Sequence, residues 1–168
     1  GLDATAFPSG VRNTPVEINE TIAPLIFWKK EYRADSGGAG THRGGVGQIM
    51  EIEHAQGAPF AISSMFDRIE HPPRGRNDGG AGATGVIRVK DGRIMKGKGR
   101  QTIPAGERLR MEMHGGGGLG SPTVRPAGLV ADDVRNGLVS VAAARTAYGV
   151  ICDADGMIDE AATAALRK

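Results

Sequence analysis

Residues 35–48 read DSGGAGTHRGGVGQ, and six of these fourteen residues are glycine. The long side chains are those of His42, Arg43 and Gln48, so the segment cannot be held in place by its own apolar packing. Glycine loses more backbone entropy on ordering than any other residue, so such a run is stable only where it solves a local problem. The problems it solves are positive φ, close approach of two backbones, and a backbone N–H directed at a ligand.

Two later stretches have the same character. Residues 72–80 read PPRGRNDGG, and residues 114–122 read HGGGGLGSP. Apolar, alternating sequence separates these stretches from one another. We predict that they join residues 35–48 in one composite surface. His42 and Arg43 stand in the middle of the first stretch, where a buried or ligand-facing cation would be held.

The composition predicts one β-rich domain. The 168 residues allow a core, and the 27 glycines are roughly twice the usual share of about 7%. The net charge of +2 is too small to indicate a nucleic-acid partner, which needs a concentrated basic stripe. No membrane partner is expected, because no apolar run is long enough to span a bilayer and no signal peptide is visible. A cytoplasmic location is expected, because a single cysteine allows no internal disulfide. The single cysteine, Cys152, is expected to be a small buried apolar residue rather than a nucleophile.

Alternating apolar and polar residues predict most of the strands. The predicted strands are residues 25–33, 48–54, 59–65, 86–90 and 108–113. Asp91-Gly92 predicts a hairpin turn into residues 93–95. Residues 15–20 stay open between a short helix, with Thr14 as its N-cap, and a strand.

The pattern changes in the last quarter of the chain. Val130, Val134 and Leu138 recur at helical spacing, and Ser140 and Asp159 are placed to cap two further helices. The predicted fold class is therefore α+β. A single domain would contain an N-terminal linker (residues 1–14), a β-rich body with glycine-rich loops (15–125) and a helical C-terminal arm (126–168).

The glycine clusters do not match a nucleotide-binding motif. No Gly-x-x-x-x-Gly-Lys-Ser/Thr string occurs. Residues 116–120 are followed by Ser121-Pro122 rather than by the helix that a dinucleotide fingerprint requires. Tight turns and packing of backbone on backbone are therefore the expected role of these glycines.

The sequence predicts no metal site in this chain. His42, His54, His71 and His114 are scattered, without a ligand pair at helical spacing. Residues 153–160 resemble a calcium loop, but the glycine comes too early and no acid stands at the twelfth position. A turn followed by an N-cap is the expected structure there.

Three arginines lie inside glycine- or proline-rich loops: Arg43, Arg74 and Arg76. A guanidinium in such a setting often forks onto a carboxylate or onto backbone carbonyls. The first expectation is therefore an internal ion pair, and contact with a substrate or partner is the alternative. The acids considered for the pair are Asp35, Asp67 and Asp78.

Taken in order, these segments resemble the hydantoinase B/5-oxoprolinase family, and jointly they are specific. They match its C-terminal region, so the chain, which begins at Gly1, reads as part of a longer subunit. The resemblance lies in residues 35–40 (DSGGAG), 43–47 (RGGVG), Arg74-Gly75, Gly79-Gly80, residues 115–122 (GGGGLGSP), 133–140 (DVRNGLVS), Ala144 and 148–150 (YGV).

The resemblance implies an ATP-dependent enzyme that opens small cyclic amides, such as N-methylhydantoin or 5-oxoproline, together with a hydantoinase A-type subunit or domain. The partner would bind ATP and phosphorylate the substrate oxygen, and the B-type subunit would assist the hydrolysis. ATP and a divalent metal are thus implied for the full complex. The family's metal motif lies upstream of the matched region, so these 168 residues alone are expected to be inactive. There are two alternatives. The chain could belong to a subunit of an ATP-dependent ketone carboxylase, or it could be a non-catalytic assembly domain.

The catalytic residues stay open, with Arg43 and then His42 as the leading candidates. An assembly domain would instead bury the glycine loops against each other and leave no open cleft near Arg43. The predicted substrate-binding surface or loop platform comprises Gly37, Gly38, Gly44, Gly45, Arg74, Gly116 and Gly117.

Overall fold

The computed structural model describes residues 2–4 and 14–168. In this part of the chain, four α-helices and six strands in two antiparallel sheets form an α+β fold, as predicted. Most of the predicted N-terminal linker lies outside the described residues. The helices are α1 (Val16–Ile22), α2 (Ala127–Arg135), α3 (Val141–Tyr148) and α4 (Glu160–Leu166), with a 3-10 turn at Pro122–Val124. The strands are β1 (Leu25–Tyr32), β2 (Gln48–His54), β3 (Phe60–Met65), β4 (Val86–Val89), β5 (Lys98–Ile103) and β6 (Leu109–Glu112).

The larger sheet has the strand order β1-β2-β6-β4, and β3 pairs with β5 in a separate two-stranded sheet. Alternation along β2, β4 and β6 sends apolar side chains to one face and charged side chains to the other. Ile52, Ile87, Val89 and Leu109 thereby form a buried core with Ile103 of β5. This core holds the sheet from which the glycine-rich segments emerge.

A second core lies in the helical arm. Val130, Val134, Ala144 and Tyr148 pack there with Cys152, which is buried as predicted. Burial raises the pKa of the Cys152 thiol, which makes the reactive thiolate less available.

The predicted caps of the arm are present. The Ser140 hydroxyl accepts a hydrogen bond from the Ala143 N–H, and the Asp159 carboxylate accepts one from the Ala162 N–H. Gly149 closes α3 at φ 65°, a conformation that favours glycine.

The hairpin predicted at Asp91-Gly92 is present. The Gly92 N–H donates to Val89 O, the Met95 N–H donates to Ile87 O, and an antiparallel bridge joins Arg88 to Ile94. Two other local predictions were wrong. Residues 16–22 form a helix, but Pro15 occupies the N-cap position without a side-chain cap, so Thr14 does not cap it. Strand β5 was not predicted, because its sequence, KGRQTI, contains one large apolar residue and a glycine.

Candidate functional site

The three glycine-rich segments come together, as the sequence predicted. Residues 36–47, 73–83 and 115–120, here called the glycine bundle, run side by side and exchange backbone hydrogen bonds outside both sheets. The Gly38 N–H donates to Gly116 O at 2.8 Å, and the Gly116 N–H donates to Gly45 O at 2.8 Å. The third segment joins through the Gly118 N–H, which donates to Gly80 O at 2.9 Å. Main-chain hydrogen bonding thus replaces side-chain packing.

The separation of the segments explains the glycines. A Cβ added to Gly38 would lie 2.1 Å from Gly80 O, and one added to Gly44 would lie 2.2 Å from Gly116 O. These distances are far below van der Waals contact, so a side chain at either position would push two segments apart. The same restriction applies at the axis of collagen, where only glycine fits between extended chains.

An open cleft of about 580 Å³ borders the bundle. It is lined by residues 44–48 and 113–117, together with Met50, Leu2 and Ala4, and we call it the glycine cleft. Four of the predicted platform glycines therefore share one cavity wall: Gly44, Gly45, Gly116 and Gly117. Gly37 and Gly38 instead pack against neighbouring backbone inside the bundle.

Arg43 lies at the junction between the bundle and the helical arm. Its guanidinium is buried and donates to Asp133 Oδ2 at 3.3 Å, to Asp3 Oδ1 at 3.1 Å and to Gly44 O at 2.7 Å. Arg125 donates to the same Asp133 oxygen at 2.9 Å. An internal ion pair is therefore present, as expected. Its acids, Asp3 and Asp133, are not the ones that the sequence suggested.

None of the predicted acids pairs with Arg43, and two of them have other partners. Asp35 accepts a hydrogen bond from the Ser140 N–H at 2.7 Å, and Asp67 pairs with Lys98. The acids that Arg43 does use lie 40 and 90 positions away in the sequence, so proximity along the chain gave no signal for either pair.

The electrostatics of this junction favour a fixed charge. Burial alone would lower the pKa of Arg43, but the hydrogen bonds and charges of Asp3 and Asp133 outweigh it and raise that pKa. Burial alone would raise the pKa of Asp3, but the hydrogen bonds from Arg43 and the Val46 N–H hold it below its usual value. Arg43 is thus a permanent cation that fastens the segments together, and it is unsuited to transferring protons.

The other candidate cations lie apart from this junction. The His42 side chain is exposed, while its backbone pairs with Leu119. The side chains of Arg74 and Arg76 are also exposed and make no hydrogen bond or ion pair with the described residues. His42 and Arg74 do not line the glycine cleft.

Sequence reasoning missed a second charged region, on the outer face of the larger sheet. Arg108 donates to Glu53 at 2.9 Å and lies 3.8 Å from the centre of the Trp28 ring. Arg110 donates to Glu112 at 2.8 Å. The alternation of charges along β2 and β6 could have revealed these pairs, had the order of the strands been known. We call this region the Arg/Glu face, comprising Arg33, Glu51, Glu53, Arg88, Lys90, Arg108, Arg110 and Glu112.

Glu112→Gln should reduce the loss of stability at acid pH. Burial alone would raise the pKa of Glu112, but the hydrogen bond from Arg110 and the charges of Arg88 and Arg33 hold it below its usual value. A lowered folded-state pKa contributes stability above the unfolded pKa of about 4.3, and this contribution is lost as pH falls through the folded pKa. Urea unfolding of both proteins between pH 7 and pH 2 should show a difference at pH 7 that shrinks below about pH 4. A difference that stays constant with pH would contradict this assignment.

Residues 2–4 and 14–168 hold no cluster of three or more histidine, cysteine, aspartate or glutamate side chains placed to bind a metal ion. In the same part of the chain, none of the helices is long and apolar enough to cross a membrane.

Comparison with known proteins places this fold in a family. The protein-family model described as "Hydantoinase B/oxoprolinase" matches residues 1–122, and the chain belongs to that family. The resemblance inferred from the glycine-rich segments is thereby confirmed.

The curated relatives include a caprolactamase subunit and a 5-oxoprolinase, and both are much longer than this chain. The chain is 38% identical over 164 residues to the caprolactamase subunit beta of Pseudomonas jessenii, covering 90% of this chain and 27% of that protein. It is 38% identical over 117 residues to 5-oxoprolinase 1 of Arabidopsis thaliana, covering 67% of this chain and 9% of that protein. The chain thus spans about a quarter or less of the length of these relatives.

Two solved structures share the fold. The ATP-dependent caprolactamase of Pseudomonas jessenii matches 92% of this chain and 28% of its own, with a TM-score of 0.76 and 32% identity. A nucleotide-free acetone carboxylase matches 99% of this chain and 28% of its own, with a TM-score of 0.76 and 22% identity.

Proposed function

We propose that this chain is the C-terminal part of a hydantoinase B-type subunit that hydrolyses a small cyclic amide in an ATP-dependent reaction with a hydantoinase A-type partner. The observation that carries the proposal is the similarity to caprolactamase, which extends over nine-tenths of this chain in both sequence and structure. The likeness to acetone carboxylase lies below 25% identity and supports the fold alone. We therefore favour amide hydrolysis over ketone carboxylation.

The contribution of this chain is that of a rigid platform. The glycine bundle fixes its backbone through hydrogen bonds among three distant segments, and the glycine cleft lies along one side of it. The wall of the cleft at Gly44, Gly45, Gly116 and Gly117 is main chain, so a cyclic amide bound there would meet peptide groups rather than side chains. A held substrate reacts faster because its orientation is fixed before the chemical step.

The donors that the described residues offer do not fit ATP or a divalent metal. The sequence contains no P-loop string, and the described residues contain no cluster of carboxylates and histidines. We assign both groups to the partner or to other parts of the subunit. We also propose that the chain divides into a linker (residues 1–14), a β-rich body (15–125) and a helical arm (126–168). The single cysteine favours a cytoplasmic location.

An activity assay tests this proposal. The full subunit containing this sequence, combined with its A-type partner, should hydrolyse caprolactam, 5-oxoproline or hydantoin only when ATP is present. The 168-residue chain alone should show no turnover. Consumption of acetone with bicarbonate instead of ring opening would support the carboxylase alternative. Ring opening without ATP, or by this chain alone, would contradict the proposal.

Variants in the complete complex separate the two candidate residues. His42 is exposed, so His42→Ala should leave the fold intact, and a loss of turnover would place His42 at the reacting site. Arg43→Ala should lower both turnover and stability, because the guanidinium joins the bundle to the arm. Unchanged turnover in Arg43→Ala would remove Arg43 from the site.

A further inference from the structure

Strands β4 and β6 place four cations together on the Arg/Glu face. Arg88 lies directly opposite Arg110 in the antiparallel register. Two residues further along the chain from Arg88, and two residues before Arg110, lie Lys90 and Arg108. The Lys90 N–H donates to Arg108 O at 3.0 Å, so these two residues are also neighbours. We call Arg88, Lys90, Arg108 and Arg110 the cation square. Like charges directly opposite each other on neighbouring strands destabilise a sheet, so this arrangement requires compensation.

Compensation comes from three glutamates, two on β2 and one on β6. On β2, Glu51 lies opposite Arg110 and accepts hydrogen bonds from Arg108 at 3.3 Å and from Arg110 at 3.4 Å. Glu53 pairs with Arg108, and Glu112 pairs with Arg88 and Arg110. Counting Arg33, which also pairs with Glu112 at 3.6 Å, five cations meet three carboxylates. The Arg/Glu face therefore has a net charge of +2, and the excess lies towards β4.

The arginines are held in place but are not saturated. A guanidinium has five N–H donors. Arg108 and Arg110 each use Nε and Nη1 for the glutamates, which leaves Nη2, while Arg88 uses only Nη2. The Lys90 ammonium makes no hydrogen bond or direct ion pair with the described residues. The glutamates thus hold the guanidiniums in place and leave several of their N–H groups available to a further anion.

These residues surround a cavity. Its volume is about 240 Å³, and its lining consists of the whole cation square with Glu51, Val89 and Gly92. At about 30 Å³ per water molecule, this volume corresponds to about eight waters. This volume is large enough for a single tetrahedral oxyanion with its nearest waters.

We propose that the cation square is a binding site for a phosphate group, either as free phosphate or as a phosphate monoester. A phosphate dianion matches the net charge of +2, and arginine forks match the geometry of phosphate oxygens. The anion would neutralise the two like-charged pairs, so binding should also stabilise β4 at the edge of the sheet. The site shares no lining residue with the glycine cleft, and it does not depend on the proposed hydrolysis.

A direct binding measurement tests the site without any activity readout. Inorganic phosphate, and separately phenyl phosphate, would be titrated calorimetrically into the 168-residue chain and into the complete complex, with sodium chloride at equal ionic strength as the reference. Phosphate should bind saturably and raise the melting temperature. Lys90→Gln should weaken binding about tenfold, because it removes one charged donor without breaking an ion pair of the sheet. Arg88→Gln should weaken it by a similar factor.

Lys96→Gln is the matched control, because Lys96 is also exposed and lies outside the cation square. It should bind phosphate like the parent. Free phosphate and phenyl phosphate are distinguished by which of the two binds more tightly in the complex, and either result supports the site. Equal weakening in Lys90→Gln and Lys96→Gln, or no effect beyond that of chloride, would overturn it. Binding to this chain that disappears in the complete complex would also overturn it, because an acidic segment of the complex would then occupy the cavity.

Discussion

Gly38→Ala should lower the free energy of unfolding by about 3 kcal/mol or more. The new methyl group would lie 2.1 Å from Gly80 O and 2.6 Å from Gly118 N, and both atoms belong to backbone that cannot rotate away. Relief requires that the segments separate, which weakens the hydrogen bonds from Gly80 N–H to Ala39 O and from Gly118 N–H to Gly80 O. Urea unfolding followed by circular dichroism measures the effect.

Gly128→Ala is the matched control for this substitution. Gly128 lies in α2, and a Cβ there has no neighbour within 4 Å. Alanine is a better helix former than glycine by about 1 kcal/mol, so this variant should be as stable as the parent or more stable. If Gly38→Ala unfolds at the same urea concentration as Gly128→Ala, the glycines are not required by close packing. The glycine bundle would then lose its physical explanation.

The sequence predicted features that depend on local chemistry. Ser140 and Asp159 cap helices because the side chain that caps and the N–H that it accepts from are three residues apart. Strands β2 and β6 were predicted because their alternation reflects one buried face. The convergence of the glycine-rich segments was also predicted, because the three stretches share one composition and close approach of backbones is one of the problems that glycine solves.

Features that depend on distant pairing could not be predicted. Strand β5 is held by its register with β3 rather than by its own composition. The partners of Arg43 come from the N-terminal segment and from α2, which only the completed fold brings together. The Arg/Glu face likewise requires the strand order β2-β6-β4. In each case the residues carry charge or hydrogen-bonding capacity, but their partners lie tens of positions away.

Asp133→Ala should lower the free energy of unfolding by about 3–5 kcal/mol, because it leaves the buried Arg43 and the partly buried Arg125 without their shared carboxylate. Arg43 would still have Asp3 and Gly44 O as partners, and Arg125 would retain its hydrogen bond to Thr41 O at 3.1 Å. The loss should also loosen the arm from the bundle, so hydrogen exchange should accelerate in residues 127–135 and 37–44.

Asp132→Ala is the control, at the position just before Asp133. Asp132 is about half exposed and pairs with Arg135 on the surface, so its replacement should change stability by about 0.5 kcal/mol or less. Comparable losses in both variants would show that the effect comes from helix α2 itself. A large loss in Asp133→Ala alone would establish that the buried ion pairs join the two halves of the fold.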